Sequence, residues 1–197
     1  MSKLYYQGHG SFRITTNDNI VIFVDPYAGV GYEKTADIIL VSHDHFDHIE
    51  VNKCHGYETA KIFTFKEALI NGSYMDLNYK GVKITAVPAG GNKNHDINKC
   101  VGFLIQFDGI LVYASGDTSK VSFMSTMHMF NIDYAIFCGD GIYNMDLEEA
   151  AECANIIKAK HNIIIHLKPG ELFDKKRAIA WTAPNKLIIE PDQEITL

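Results

Sequence analysis

The amino-acid sequence predicts a layered α/β protein in which helices cover β-sheets. Two observations carry that reading. Short, continuously apolar, β-rich runs recur along the whole chain, as strands covered on both faces would, and in the second half such runs alternate with helical patterns. A third observation sets the scale: the chain has 197 residues, 47% of them apolar and 21% charged. That is a globular composition, at a length expected for a single domain spanning 1–197.

The predicted strands are Ile20–Val24, Ile38–Ser42, Ile62–Phe65, Val82–Val87, Val101–Phe107, Ile110–Ala114, Tyr134–Cys138, Ile163–Ile165 and Leu187–Ile189. Asp108-Gly109 separates two of them as a hairpin turn, since both residue types accept the positive φ that tight hairpins need. The clearest helix is Leu147–Lys160. Asp146 is its expected N-cap, Glu149 stands where a capping box would place it, and Ala150, Ala154 and Ile157 form an apolar stripe. Further helices are expected over Lys120–Phe130 and Phe173–Trp181. The chain shows no low-complexity segment, long linker or repeat of the kind that builds solenoids.

Eighteen Lys and Arg against 24 Asp and Glu give a formal charge of -6, so no positive field draws the whole surface to nucleic acid or an anionic membrane. No run approaches the roughly 20 apolar residues of a membrane span. Met1–Gln7 turns polar too early for a signal peptide. The expectation is a soluble, cytoplasmic protein whose Cys54, Cys100, Cys138 and Cys153, none in a C-x-x-C pair, are reduced and buried. There is no G-x-x-x-x-G-K-[ST], G-x-G-x-x-G or G-x-S-x-G motif, so phosphate-loop and serine-nucleophile chemistry lose their usual support.

The most informative segment is Ser42-His43-Asp44-His45-Phe46-Asp47-His48, directly after the apolar run Ile38–Val41. His43, His45, Asp47 and His48 put four potential ligands within six residues at a strand's carboxyl end, where α/β folds place their sites. Imidazole with carboxylate suits zinc, iron or manganese rather than calcium. Donors packed so closely do not readily close one tetrahedral site and more naturally serve two adjacent ions. His95 lies in a glycine-rich loop after a strand, Asp117 in Ser115-Gly116-Asp117-Thr118, and His166 at the end of Ile163–Ile165. Taken alone, these three also read as a loop histidine, a turn aspartate and a core histidine. His55, His128 and His161 fall outside the pattern and read as surface or structural residues.

The ordered set of motifs resembles the metallo-β-lactamase superfamily, and within it a branch of small bacterial metal-dependent hydrolases related to ascorbate-6-phosphate lactonase. Beside the histidine motif, the resemblance rests on Val24-Asp25-Pro26, Ala114-Ser115-Gly116-Asp117-Thr118 and Ile163-Ile164-Ile165-His166. Finer matches are Gly8-His9-Gly10-Ser11-Phe12, Gly102-Phe103 and Tyr143-Asn144-Met145-Asp146. It implies an αββα sandwich, two mixed β-sheets flanked by helices. It further implies one metal site from His43, His45 and His95, a second from Asp47, His48 and His166, and Asp117 bridging the two. Asp25 is implied to fix the ligand loop, and Asp140 to act within the Gly139-Asp140-Gly141 loop. His9 is implied to lie beside the metals or substrate, and Tyr143 near the pocket. Cys100 before Val101-Gly102-Phe103, and Leu167-Lys168 after His166, depart from the branch's usual aromatic residues and leave the substrate pocket open.

The chemistry so implied is hydrolysis with two divalent metal ions, zinc first and manganese or iron as alternatives. Two cations bring the pKa of bound water from 15.7 towards about 7 and stabilise the developing oxyanion. The expected catalytic residues are Asp47, His9 and Tyr143. The expected substrate is a small, anionic ester, lactone or phosphodiester. Three other readings are a nuclease or phosphodiesterase on nucleic acid, disfavoured by the acidic charge, a di-iron redox protein, and a non-catalytic metal-binding scaffold.

Overall fold

The computed structural model describes residues 1–197. Its first sheet contains β1 (Lys3–Gly8), β2 (Ser11–Thr15), β3 (Val21–Val24), β4 (Ile38–Val41) and β5 (Lys61–Thr64). A short helix α1 (Phe65–Ala68) and a hairpin of β6 (Leu69–Ile70) and β7 (Ser73–Tyr74) lead into the second sheet. That sheet begins with β8 (Asp76–Tyr79), β9 (Val82–Pro88), β10 (Val101–Phe107) and β11 (Ile110–Ala114). It continues with β12 (Tyr134–Cys138), helix α2 (Leu147–Ile157), β13 (His161–Ile165), helix α3 (Lys175–Ala180) and β14 (Lys186–Leu187). The last strand, β15 (Gln193–Thr196), returns to the first sheet beside β1. The strand orders are β15-β1-β2-β3-β4-β5 and β14-β13-β12-β11-β10-β9-β8. Each sheet is mixed: β3, β4 and β5 run parallel, as do β11, β12, β13 and β14, and the remaining pairs are antiparallel.

The apolar runs form strands because both of their faces are covered. Alternate residues of the first sheet (Ile14, Ile22, Val24, Ile38, Leu40) meet those of the second (Ile84, Phe103, Ile105, Val112, Ile136, Ile163) in one core between the sheets. The outer face of the second sheet (Tyr113, Phe137, Ile164) packs against Ala150, Ala154, Ile157, Met124, Met127 and Trp181. The outer face of the first sheet is covered differently. Phe23, Ile39 and Val41 lie under Tyr32, Ala36 and Cys54, which belong to irregular segments with only a 3-10 turn at Val51–Lys53. The layers are thus those the sequence predicts, with few helices and one outer layer mostly of loop. No helix is long and apolar enough to cross a membrane.

The Asp108-Gly109 turn joins β10 and β11 with φ of 49° and 78°, both positive as the residues allow. In α2, Asp146 caps the amides of Glu148 and Glu149, and Lys158 ends the helix in the left-handed region, two residues short of the predicted end. Glu149 does not close a capping box; its carboxylate accepts the backbone N–H of Lys120 at 2.8 Å instead. The predicted helix over Lys120–Phe130 is a 3-10 segment, Ser122–Phe130. Its side chains explain this. Ser125 Oγ and Thr126 Oγ1 donate to the carbonyls three residues back, and His128 Nδ1 lies 2.8 Å from the Ser125 carbonyl. These contacts compete with i to i−4 pairing. Sequence reading also passed over β1 and β2, whose buried Gln7, Ser11 and Arg13 break the apolar pattern.

Candidate metal centre

The strands β1, β3, β4, β9, β11, β12 and β13 all end at the same rim of the sandwich, and the segments leaving them carry the site. His9 follows β1 and Asp25 follows β3. His43, His45, Asp47 and His48 follow β4, and His95 follows β9. Asp117, Asp140 and His166 follow β11, β12 and β13. Three of these residues, His9, Asp25 and His166, have positive φ (54°, 47° and 50°). Such conformations cost non-glycine residues about 1–3 kcal/mol each and cluster at functional sites. The His166 amide donates to the His9 carbonyl at 2.9 Å, which ties two of the three together. Gly10 must be glycine, because a Cβ there would stand 2.8 Å from His48 Cε1.

Asp117 is central. Its Oδ2 lies 3.4 Å from His95 Nε2, 3.6 Å from His166 Nε2 and 3.9 Å from His43 Nε2, and its Oδ1 lies 3.5 Å from His48 Nε2. His43, His45 and His95 converge as one group of donors, with His45 Nδ1 and His95 Nε2 only 3.1 Å apart. His9, Asp47 and His166 form a second group, and His43, His48 and Asp117 a third that joins them. Asp47 Oδ2 lies 3.0 Å from His9 Nε2 and 3.6 Å from His166 Nε2, and its Oδ1 lies 4.0 Å from His48 Nε2. All the residues that the motifs nominate as ligands therefore meet in one place. His9 joins them more closely than expected, its ring 3.8 Å from that of His166.

Neighbouring groups aim the donors. Asp25 accepts Ser42 N–H and Ser42 Oγ–H, both at 2.7 Å, and its Oδ2 lies 3.0 Å from His48 Nδ1. Ser42 Oγ in turn sits 2.9 Å from His43 Nδ1. One carboxylate thus orients two imidazoles so that each Nε2 points to Asp117. The Tyr143 carbonyl lies 3.2 Å from His95 Nδ1, and the Glu171 carbonyl 3.1 Å from His9 Nδ1. A carbonyl only accepts, so both histidines carry their proton on Nδ1 and turn Nε2 to the cluster. Asp140 Oδ1 collects the amides of Ile142, Tyr143 and Asn144, as the loop reading anticipates, while its Oδ2 lies 3.6 Å from His166 Nδ1. Ser42 is a contributor that motif reading missed, as is Asn92, whose Oδ1 accepts the His95 N–H at 3.0 Å. Ser42 had a signal in its place beside His43, whereas the Tyr143 and Glu171 carbonyls act through backbone and leave none.

The electrostatics are those of a concentrated charge site. Burial, then the neighbouring His48 charge, holds His43 well below the ordinary imidazole range; burial and His95 lower His45. For His48 and His166, burial is the largest single influence and opposes protonation, but Asp117 acting together with Asp25 at His48 and with Asp47 at His166 raises both. Burial would raise Asp117 and Asp47, yet the histidines around each hold them low and ionised. His43 Nε2, His48 Nε2, His166 Nε2 and Asp117 Oδ1 are buried without a hydrogen-bond partner. Unpaired buried polar atoms are costly, and four aimed into one space fit a divalent cation site of mixed imidazole and carboxylate donors. The other histidines lie apart: His55 contacts Thr35, His128 its own 3-10 segment, and His161 stacks on Tyr134.

Similarity to known proteins agrees with this geometry. The beta-lactamase superfamily domain model matches residues 3–166. A Thermococcus kodakarensis protein named as a metal-dependent hydrolase is 30% identical, with 100% of each chain covered. Another of that name, from Thermococcus onnurineus, is 28% identical over 84% of each chain. Among solved structures, a metallo hydrolase from Ignicoccus hospitalis superposes with a TM-score of 0.74 at 22% identity, covering 99% of this chain and 98% of the other. A metallo-β-lactamase fold protein from Bacillus subtilis superposes with a TM-score of 0.71 at 17% identity over 100% of both. The chain belongs to the metallo-β-lactamase superfamily. Within it, this is a metal-dependent hydrolase.

Proposed function

We propose that the cluster holds two divalent cations and hydrolyses a small ester, lactone or phosphodiester. His43, His45 and His95 would surround one ion, Asp47, His48 and His166 the other, with Asp117 between. The observation that carries this reading is the position of Asp117, within 3.9 Å of four histidine nitrogens drawn from both groups. The donor set favours zinc over calcium. Bound there, such ions supply Lewis acidity and lower the pKa of water towards about 7.

The chain's own residues do the rest. Asp47, ionised and partly open to the cleft, orients the attacking water by accepting its hydrogen bond. His9 Nε2 lies 3.0 Å from Asp47; with a proton also on that nitrogen, it holds the carboxylate in place and passes the proton to the leaving oxygen. Tyr143 lines the cleft and contacts the substrate. The negative charge of the substrate is concentrated at the reacting group, where the cations attract it. Residues 1–197 act as one domain, in the cytoplasm, where the four free thiols stay reduced.

The test is hydrolysis by zinc-, manganese- or iron-loaded protein of a panel of lactones, carboxylic esters, phosphodiesters and RNA. Turnover of a small substrate is expected, with two ions per chain by elemental analysis and a loss of at least about 100-fold in kcat for Asp47→Asn. Full activity with a single ion contradicts the two-ion reading. Salt-sensitive cleavage of RNA alone favours a nuclease, and partner binding unaffected by Asp47→Asn, without turnover, favours a scaffold.

A further inference from the structure

The cleft over the centre has a volume of about 520 Å³, and its wall differs in character from its floor. The floor is the donor cluster. The wall is Asp44, Phe46, Asn94, Tyr143, Pro169 and Gly170. It contains no lysine or arginine. Of the cations in the segments around it, Lys168 pairs with the Glu171 carboxylate, Arg177 donates to the Gly139 and Asp140 carbonyls at 3.0 Å, and Lys93, exposed beside Asn94, does not line the cleft. The one charged wall residue outside the ligand set is Asp44, itself exposed and acidic.

The wall's aromatic groups are exposed yet firmly mounted. Phe46 is 71% exposed and Tyr143 46%. Phe46 stands edge-on to Tyr27 with ring centroids 5.7 Å apart. Tyr143 sits on a loop held from both sides: its N–H donates to Asp140 Oδ1 at 2.8 Å, and its carbonyl accepts from Asn92 Nδ2 at 3.1 Å. Large apolar side chains left open on a rigid rim mark a contact surface, and ligand sites pair such apolar walls with a few polar groups.

Resting on the two-cation hydrolase reading, we propose that Phe46 and Tyr143 select a substrate bearing an uncharged aryl or branched alkyl group beside the scissile bond. A second anionic group in that position would lie against Asp44 with no lysine or arginine in the wall to pair it, a repulsive arrangement that rejects it. The only negative charge the cleft accommodates is the one on the reacting group.

Two phosphonates separate the wall from the floor: phenylphosphonate and 2-carboxyethylphosphonate, titrated calorimetrically into metal-loaded protein. Both place the same group on the cations. Phenylphosphonate is expected to bind about 10-fold more tightly or better, the discrimination an apolar pocket provides. Phe46→Ala should remove most of that preference with unchanged metal content, and Asp44→Asn should strengthen carboxyethylphosphonate alone. Equal or tighter binding of carboxyethylphosphonate by the wild type, or an unchanged preference in Phe46→Ala, overturns the assignment. If the preference holds but no aryl or alkyl ester or diester is hydrolysed, the hydrolytic reading fails while the assignment of the wall stands.

Discussion

Replacing Asp25 by Asn isolates the role of the charge beneath the cluster. The two residues have the same shape, and Asn tolerates the left-handed backbone that Asp25 adopts at φ 47°. The amide oxygen must face the Ser42 N–H, now bonded to Asp25 Oδ1 at 2.7 Å. The NH2 then takes the position of Oδ2, 2.7 Å from Ser42 Oγ and 3.0 Å from His48 Nδ1. A donor there forces His48 to accept at Nδ1 and carry its proton on Nε2, the atom aimed at Asp117. Three contacts of an ionised carboxylate become contacts of a neutral amide, a loss of about 1–3 kcal/mol in the metal-free protein. Altering such a supporting residue typically weakens metal affinity about 10–100-fold. Urea denaturation of chelated protein measures the first quantity, and competition with a chromophoric chelator the second. An Asp25→Asn variant with wild-type metal affinity and denaturation midpoint would falsify the orienting role.

Metal should also stabilise the fold. Ions at 100 times their dissociation constant add about 2.7 kcal/mol per site, so chelation is expected to lower the melting temperature by at least about 5 °C for a chain of this size; an unchanged curve for verified metal-free protein contradicts this. Burial pushes Cys54, Cys100 and Cys153 up to about 12. The native protein should therefore resist alkylation at pH 8 and react at four thiols once denatured, and rapid native labelling would refute the packing. Because the folded state holds those thiol protons more tightly than the unfolded chain, stability should fall as pH rises from the ordinary thiol value towards about 12. Asp146→Ala removes the cap from α2 and should cost about 1 kcal/mol in urea denaturation without changing metal affinity; a loss of metal would show that the cap reaches the centre.

What could be read from the sequence follows from where its signals are local. The run Val101–Phe107, the Asp108-Gly109 turn and Ile110–Ala114 each declare themselves, and they form the β10–β11 hairpin. The ligand motif is equally local, six residues on one strand-end turn. The apolar spacing of Lys120–Phe130 predicts a helix, whereas Ser122–Phe130 is a 3-10 segment because its hydroxyls bond three residues back. β1 and β2 escaped notice because Arg13 is buried there, its guanidinium over the Tyr5 ring at 4.6 Å. The Gly8-His9-Gly10 motif implies that His9 lies beside the centre, but its contact with Asp47 and His166 depends on pairing across 38 residues and more and has no local sign. The cleft wall combines Phe46, Asn94, Tyr143 and Pro169 from separate loops, a juxtaposition set only by the tertiary fold.

The donor cluster is divided between the two sheets. His9, His43, His45, Asp47 and His48 leave strands of one, and His95, Asp117 and His166 leave strands of the other. The seam between those sheets is also where the main core lies. An ion held across it, as proposed, would clasp two halves that share no strand pairing with one another. A chain in which only the first sheet has formed offers His9, His43, His45, Asp47 and His48 without His95, Asp117 and His166. Ions held as proposed would therefore add to the free energy of parting the sheets, while the apolar core alone keeps the metal-free sandwich closed.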